Sequence, residues 1–154
     1  MARKFVREGN NLHQQKKHAA AAVSYQKALE QNTTYYKAAH NLGNALVIQK
    51  NTKEALSQYE LALKGAKANH EKAASYHNIG NVHLQEKKFD KAIDAYKNSL
   101  RANPLDEETR YNLAFAKKML QKQKEEEQKP PHIEPQSRTP GIRRRRNNSG
   151  MPSG

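Results

Sequence analysis

Two segments carry the same cluster of hydrogen-bonding side chains, His40-Asn41-Leu42-Gly43-Asn44 and His77-Asn78-Ile79-Gly80-Asn81. The two asparagines of each cluster are three residues apart, so on a helix they project from one face. Asn10 matches the second of them and Asn112 the first. Asparagine is a weak helix former, and its repeated use inside helices requires compensation. The side chains could bond the helix of a neighbouring unit, or they could offer paired donors and acceptors to the backbone of an extended peptide in a groove. Residue type and spacing admit both readings.

His40 and His77 precede Asn44 and Asn81 by four residues and point at the same surface. No helix offers histidines at i and i+4, the spacing that two metal ligands need, and His77 and His83 fall on different faces. Groove-lining or exposed histidine is the reading for both, and His13, His18, His70 and His132 form no pattern. The chain has no cysteine, which excludes disulfides and thiolate metal sites. It pairs no nucleophile with a base, opposes no two carboxylates and holds no phosphate loop. Glu125 to Glu127 adjoin lysines and read as a solvated helix face. The expectation is a non-enzymatic protein with no cofactor and no metal.

A repeated frame positions these residues. Gly9, Gly43 and Gly80 are spaced 34 and 37 residues apart; each is followed after 12 residues by Ala21, Ala55 or Ala92, and 4 residues later by Tyr25, Tyr59 or Tyr96. This is the spacing of two short helices joined by a tight turn, and a period of this length marks a helical repeat array. A glycine inside a helix costs about 1 kcal/mol relative to alanine, so three at matched positions imply a shared geometric need. The expectation is that the glycines face Ala21, Ala55 and Ala92 across each hairpin while the tyrosines fill the wider gap beyond.

The periodicity predicts helices near 2–15, 18–31, 36–49, 52–67, 70–86, 89–102 and 106–127, with Asp106 as an N-cap. Repeats then occupy about 2–35, 36–72 and 73–106, followed by a capping helix 106–127, all within a domain 1–128. The last helix is expected to bury Tyr111, Leu113, Ala114 and Leu120 before turning polar as a solvating cap. That polarity argues against association through the array ends and predicts a monomer. The three extra residues between the second and third copies lie within 65–70 and predict a lengthened helix or turn.

From residue 129 onward lie all the prolines except Pro104, and apolar periodicity ends, so 129–154 reads as a disordered tail. Net charge is +13; the tail holds Lys129, Arg138 and Arg143 to Arg146 against Glu134, while the rest is spread over helix faces. The arginine run could hold phosphates, RNA or an acidic surface, but no aromatic residue lies among the arginines to stack on bases. Nucleic-acid or acidic-surface binding through the tail is the alternative function. No apolar stretch approaches the roughly 20 residues of a membrane helix, so no membrane insertion is expected.

The Gly-Ala-aromatic set, closed in its third copy by Asn103-Pro104, resembles the tetratricopeptide repeat over residues 2 to about 122. Departures are Ala39 at a usually large position, Thr52 at an often aromatic one, and Thr33 and Lys67 in place of proline. The resemblance implies an all-α fold, a right-handed superhelix of three helix-turn-helix repeats plus a C-terminal capping helix. It also implies a concave groove lined by Asn10, Lys37, His40, Asn41, Asn44, His77, Asn78, Asn81 and Asn112. Some family members clamp a partner's C-terminal carboxylate. Asn10 and Asn41 match that clamp, but Val6, Ala74 and Asn78 stand where it has cations. Other members hold peptide backbone with an asparagine ladder, which Asn41, Asn78 and Asn112 resemble. The implied partner is a protein or an extended peptide.

A narrower resemblance lies in Arg7-Glu8-Gly9-Asn10, in Tyr76-His77-Asn78-Ile79-Gly80 and in the run Asn103-Pro104-Leu105-Asp106-Glu107-Glu108-Thr109-Arg110-Tyr111-Asn112-Leu113-Ala114. These are similar to the tetratricopeptide proteins of the bacterial Bat aerotolerance operon. That similarity implies an exported protein at the periplasm or inner membrane, working with membrane-anchored von Willebrand A-type domain partners. The arginine-rich tail and the N-terminus, which shows no leader, depart from it; without it the expected compartment is the cytoplasm.

Overall fold

The computed structural model describes residues 1–131. The arginine run Arg143 to Arg146 and all of the expected tail beyond Pro131 lie outside the described residues. Among these residues seven α-helices follow one another: α1 (Ala2–Gln14), α2 (His18–Gln31), α3 (Tyr36–Ile48), α4 (Thr52–Gly65), α5 (Asn69–Gln85), α6 (Phe89–Ala102) and α7 (Glu107–Gln128). No strand occurs among the described residues. Met1–Gln121 forms one compact unit, and the described residues from Lys122 onward belong to a second. In the second, the end of α7 is exposed and Lys129 Nζ lies 3.1 Å from Glu126 Oε1.

Within the first unit α1 and α2, α3 and α4, and α5 and α6 pack as hairpins, and successive hairpins stack through α2 on α3 and α4 on α5. The first helix of each hairpin ends in the same way. Lys16, Lys50 and Lys87 adopt left-handed φ values of 62°, 63° and 61°. The amide after each reaches back five residues, from Lys17, Asn51 and Lys88 to the carbonyls of Leu12, Leu46 and His83. This is the Schellman arrangement, which satisfies helix-end carbonyls and sends the chain sharply into the second helix. Glycine is the usual occupant, and lysine accepts backbone strain there.

The second helices bury small residues and one large ring each. Ala21, Ala55 and Ala92 are fully buried, and Tyr25, Tyr59 and Tyr96 are at most 2% exposed. A Cβ built on Gly9, Gly43 or Gly80 would meet the ring of Tyr25, Tyr59 or Tyr96 at 2.4, 2.5 and 2.4 Å. The glycines therefore face the tyrosine rings, which corrects the expected Gly-on-Ala crossing: the ring lies directly on the glycine backbone because no side chain is there to hold it off.

The extra residues of the third repeat extend the N-terminus of α5, which runs 17 residues against 13 in α1 and α3. Glu71 caps this extension, its Oε1 accepting from the amides of Lys67 at 3.0 Å and Ala68 at 3.3 Å. Gly65 ends α4 against the Thr34 carbonyl, where a Cβ would come within 2.2 Å. At the N-terminus of α7, Asp106 accepts from the Thr109 amide (3.2 Å) and hydroxyl (2.7 Å), the expected cap.

The last helix departs from expectation. Leu113 and Leu120 pack with Ala116 and Tyr96, but Tyr111 is 71% exposed and Ala114 is exposed as well. Phe115 is 43% exposed on the same side. Among the described residues no second helix follows α7, and it is covered where it meets α5 and α6.

Candidate functional site

The tyrosine that lies on each glycine also reaches the asparagine that follows it. Tyr25, Tyr59 and Tyr96 donate their hydroxyls to Oδ1 of Asn10 (2.7 Å), Asn44 (2.6 Å) and Asn81 (2.6 Å). The same oxygen accepts a second bond from the next repeat: Asn41 Nδ2 to Asn10 at 3.1 Å, Asn78 Nδ2 to Asn44 at 3.2 Å and Asn112 Nδ2 to Asn81 at 3.3 Å. One unit therefore recurs three times, Tyr hydroxyl to Asn carbonyl to the following Asn amide, and it joins the helices of a hairpin and adjacent repeats at one point. Burial pushes the Tyr25 and Tyr59 phenols up and the Tyr96 phenol up to about 12, so each remains a donor at neutral pH.

The histidines extend this network. His40 stacks on Tyr36 with ring centroids 5.2 Å apart and tilts against Tyr59 at 5.8 Å. Asn78 Nδ2 can only donate, so His40 Nε2 accepts from it at 3.4 Å. Its Nδ1–H then donates to the Tyr36 oxygen at 3.3 Å, and the Tyr36 hydroxyl donates to the Glu71 carbonyl at 3.2 Å. Burial lowers the pKa of His40, in agreement with a neutral ring. His77 meets Thr109 instead, with Nδ1 2.6 Å from Oγ1 and Nε2 3.5 Å from Glu108 Oε2. The Thr109 hydroxyl donates to Asp106, whose carboxyl is held below its usual range chiefly by that bond.

The asparagines retain unused edges on the open side. No hydrogen bond engages Nδ2 of Asn10, Asn44 and Asn81, or Oδ1 of Asn41, Asn78 and Asn112, among the described residues. Between the second and third repeats these edges meet a cavity of about 290 Å³ lined by Asn44, Asn78, Asn81, Val47, Ile48 and Val82, with Tyr59 and Gln85. Ile48 is 50% exposed at this rim. Polar edges beside an apolar wall can take up a main-chain amide and an adjoining apolar side chain together.

The expected groove residues thus divide. Asn44, Asn78 and Asn81 line the cavity; Asn10, Asn41 and Asn112 continue the row at either end. His40 and His77 back the row through bonds to the next repeat. Lys37 is exposed away from the row, lining a separate cavity with Tyr36, Lys67 and Glu71. Val47, Ile48, Val82 and Gln85 were not singled out from sequence. Their signal was Val47-Ile48 at the helix end, where the first repeat has His13-Gln14.

Among the described residues, no group of three or more His, Cys, Asp or Glu side chains is placed to hold a metal ion, and no helix is long and apolar enough to cross a membrane.

Residues 34–104 match the family model described as tetratricopeptide repeat. No curated protein matches the chain in sequence. Among solved structures, the first tetratricopeptide repeat domain of Spaghetti (RPAP3) bound to the HSP90 peptide SRMEEVD is similar, with a TM-score of 0.72 and 21% identity over 78% of this chain and 93% of that one. The first such domain of human RPAP3 gives 0.73 and 21% over 81% and 96%. The Sgt2 domain from Aspergillus fumigatus gives 0.73 and 17% over 86% and 87%.

Proposed function

From a chain that folds as a tetratricopeptide repeat array, we propose a non-enzymatic adaptor whose asparagine row holds an extended segment of a partner protein. The observation that carries this reading is the cavity between the second and third repeats. There Asn44 and Asn81 present amide donors, Asn78 presents a carbonyl acceptor, and Val47, Ile48 and Val82 form an apolar wall. An extended backbone needs donors and acceptors in alternation along its edge, and a pocket for a side chain adds selectivity.

The Spaghetti domain is bound to an HSP90 peptide ending in Asp. Here Val6, Ala74 and Asn78 replace the clamp cations, and Val6 is 95% buried, its exposure being 5%. We therefore read the ligand as an internal extended segment bearing an apolar side chain rather than a free acidic C-terminus. The finer assignment is a Bat-type complex with von Willebrand A-type domain partners. It rests on the sequence similarity at Arg7 to Asn10, Tyr76 to Gly80 and Asn103 to Ala114.

The test uses peptides selected on the protein from a random displayed dodecamer library, measured by fluorescence anisotropy. Ile48→Asp should weaken them about 10-fold or more while the helical melt stays unchanged. Equal affinity for parent and variant places the binding surface elsewhere.

A further inference from the structure

The side of α7 bearing Tyr111, Ala114, Phe115 and Lys118 corresponds, position for position, to His40, Gly43, Asn44 and Val47 of α3. In α3 this side is covered: the Tyr59 ring lies on Gly43 and its hydroxyl bonds Asn44. In α7 the equivalent surface is open and forms a shallow pocket lined by Tyr111, Ala114, Phe115 and Lys118. Among the described residues the fold therefore presents a seat for a helix with nothing packed on it.

Two substitutions determine which helix fits. Ala114 stands where a glycine would admit a tyrosine ring, and Phe115 stands where an asparagine would accept that ring's hydroxyl. A fourth hairpin helix of the usual type is therefore unsuited to the seat. Nor does the following sequence supply one, since Glu126 and Pro130 occupy the places of Ala21 and Tyr25.

We propose that the occupant is α7 of a second copy, packed antiparallel about a two-fold axis between Ala114 and Phe115. In this register Phe115 of each copy inserts over Ala114 of the other, a large residue over a small one. Lys118 lies over the Tyr111 ring of the second copy, where a cation is attracted to the aromatic face. Glu108, whose side chain is 74% exposed, falls within one helical turn of Lys118 of the second copy. Parallel pairing would instead set Lys118 beside Lys118. A single helix pair buries less than the roughly 1,200 Å² of a stable interface, so the dimer is weak, with a dissociation constant on the order of 10–100 µM. This departs from the monomer expected of a polar cap.

The test is sedimentation equilibrium of the full chain from about 5 to 500 µM, bracketing that constant. The mass should rise toward twice 17.5 kDa, and Phe115→Glu should hold it at the single-chain value with the helical melt retained. A single-chain mass throughout, or a dimer untouched by Phe115→Glu, overturns the proposal. Register is read by disulfide trapping, since the chain has no cysteine of its own. Tyr111→Cys mixed with Lys118→Cys should cross-link, and Lys118→Cys alone should not. Trapping of Lys118→Cys with itself contradicts the antiparallel arrangement.

Discussion

Tyr59 donates its hydroxyl to Asn44 Oδ1 across 2.6 Å while its ring occupies the space that Gly43 leaves open. The pair ties a hairpin together, and through Asn78 it ties that hairpin to the next. The asparagine that follows each glycine is therefore a structural residue before it is a binding one. Asn44 is not expendable in a binding test, which is why Ile48 is the better probe of the groove.

The two ends of this bond should differ in cost. Tyr59→Phe leaves Asn44 with its Asn78 partner and should lose about 1 kcal/mol. Asn44→Ala strands the buried Tyr59 phenol and leaves the Asn78 amide only its longer bond to His40, and should lose about 2–3 kcal/mol. Urea melts of both variants check the order; equal losses would contradict it.

Gly80→Ala gains about 1 kcal/mol of helix propensity, yet places a Cβ 2.4 Å from Tyr96 Cε1. The ring is fully buried and cannot move aside freely. The overpacking cost of about 1–3 kcal/mol should dominate, giving a net loss in thermal melts where propensity alone predicts a gain.

Lys16, Lys50 and Lys87 carry left-handed backbone in their turns. Replacing each by glycine relieves the Cβ contact and should stabilise the array by about 0.5–1 kcal/mol per site. Calorimetry of the triple variant should show a higher melting temperature; a decrease would mean that the lysine side chains contribute more than the strain removes.

His40 is held neutral by burial, with its folded pKa below the ordinary 6.5. A histidine whose pKa is lowered on folding takes up its proton more readily when unfolded. Stability should therefore be full above pH 6.5 and fall as the pH drops from there toward the folded value. His40→Gln should flatten the decline between pH 7 and 5, measured by urea melts, with the remainder coming from His83, whose pKa burial also lowers, and toward pH 5 from Glu71 and Glu86, whose carboxyls hydrogen bonds hold low.

The repeat period and the seven helices were legible because glycine, alanine and tyrosine recur at fixed intervals and Asp106 caps in the expected place. What sits on Gly43 was not legible. Spacing brings Ala55 and Tyr59 to the same face, and only side-chain direction decides that the ring, rather than the methyl, covers the glycine. Tyr111 was misplaced for a related reason: an aromatic at helical period reads as core, but among the described residues no second helix packs on α7 to cover it. The asparagines looked equally suited to packing and to binding because each uses one edge for the array and leaves the other toward the groove.

The most direct measurement follows the side-chain amide resonances of the asparagines by NMR while a selected peptide is added. Binding in the groove predicts shifts and exchange protection at Nδ2 of Asn44 and Asn81, with Val47, Ile48 and Val82 methyl shifts and little change on α2 or α6. Peptide binding that leaves those amides unmoved and shifts the α2 or α6 surfaces would contradict the groove as the binding site.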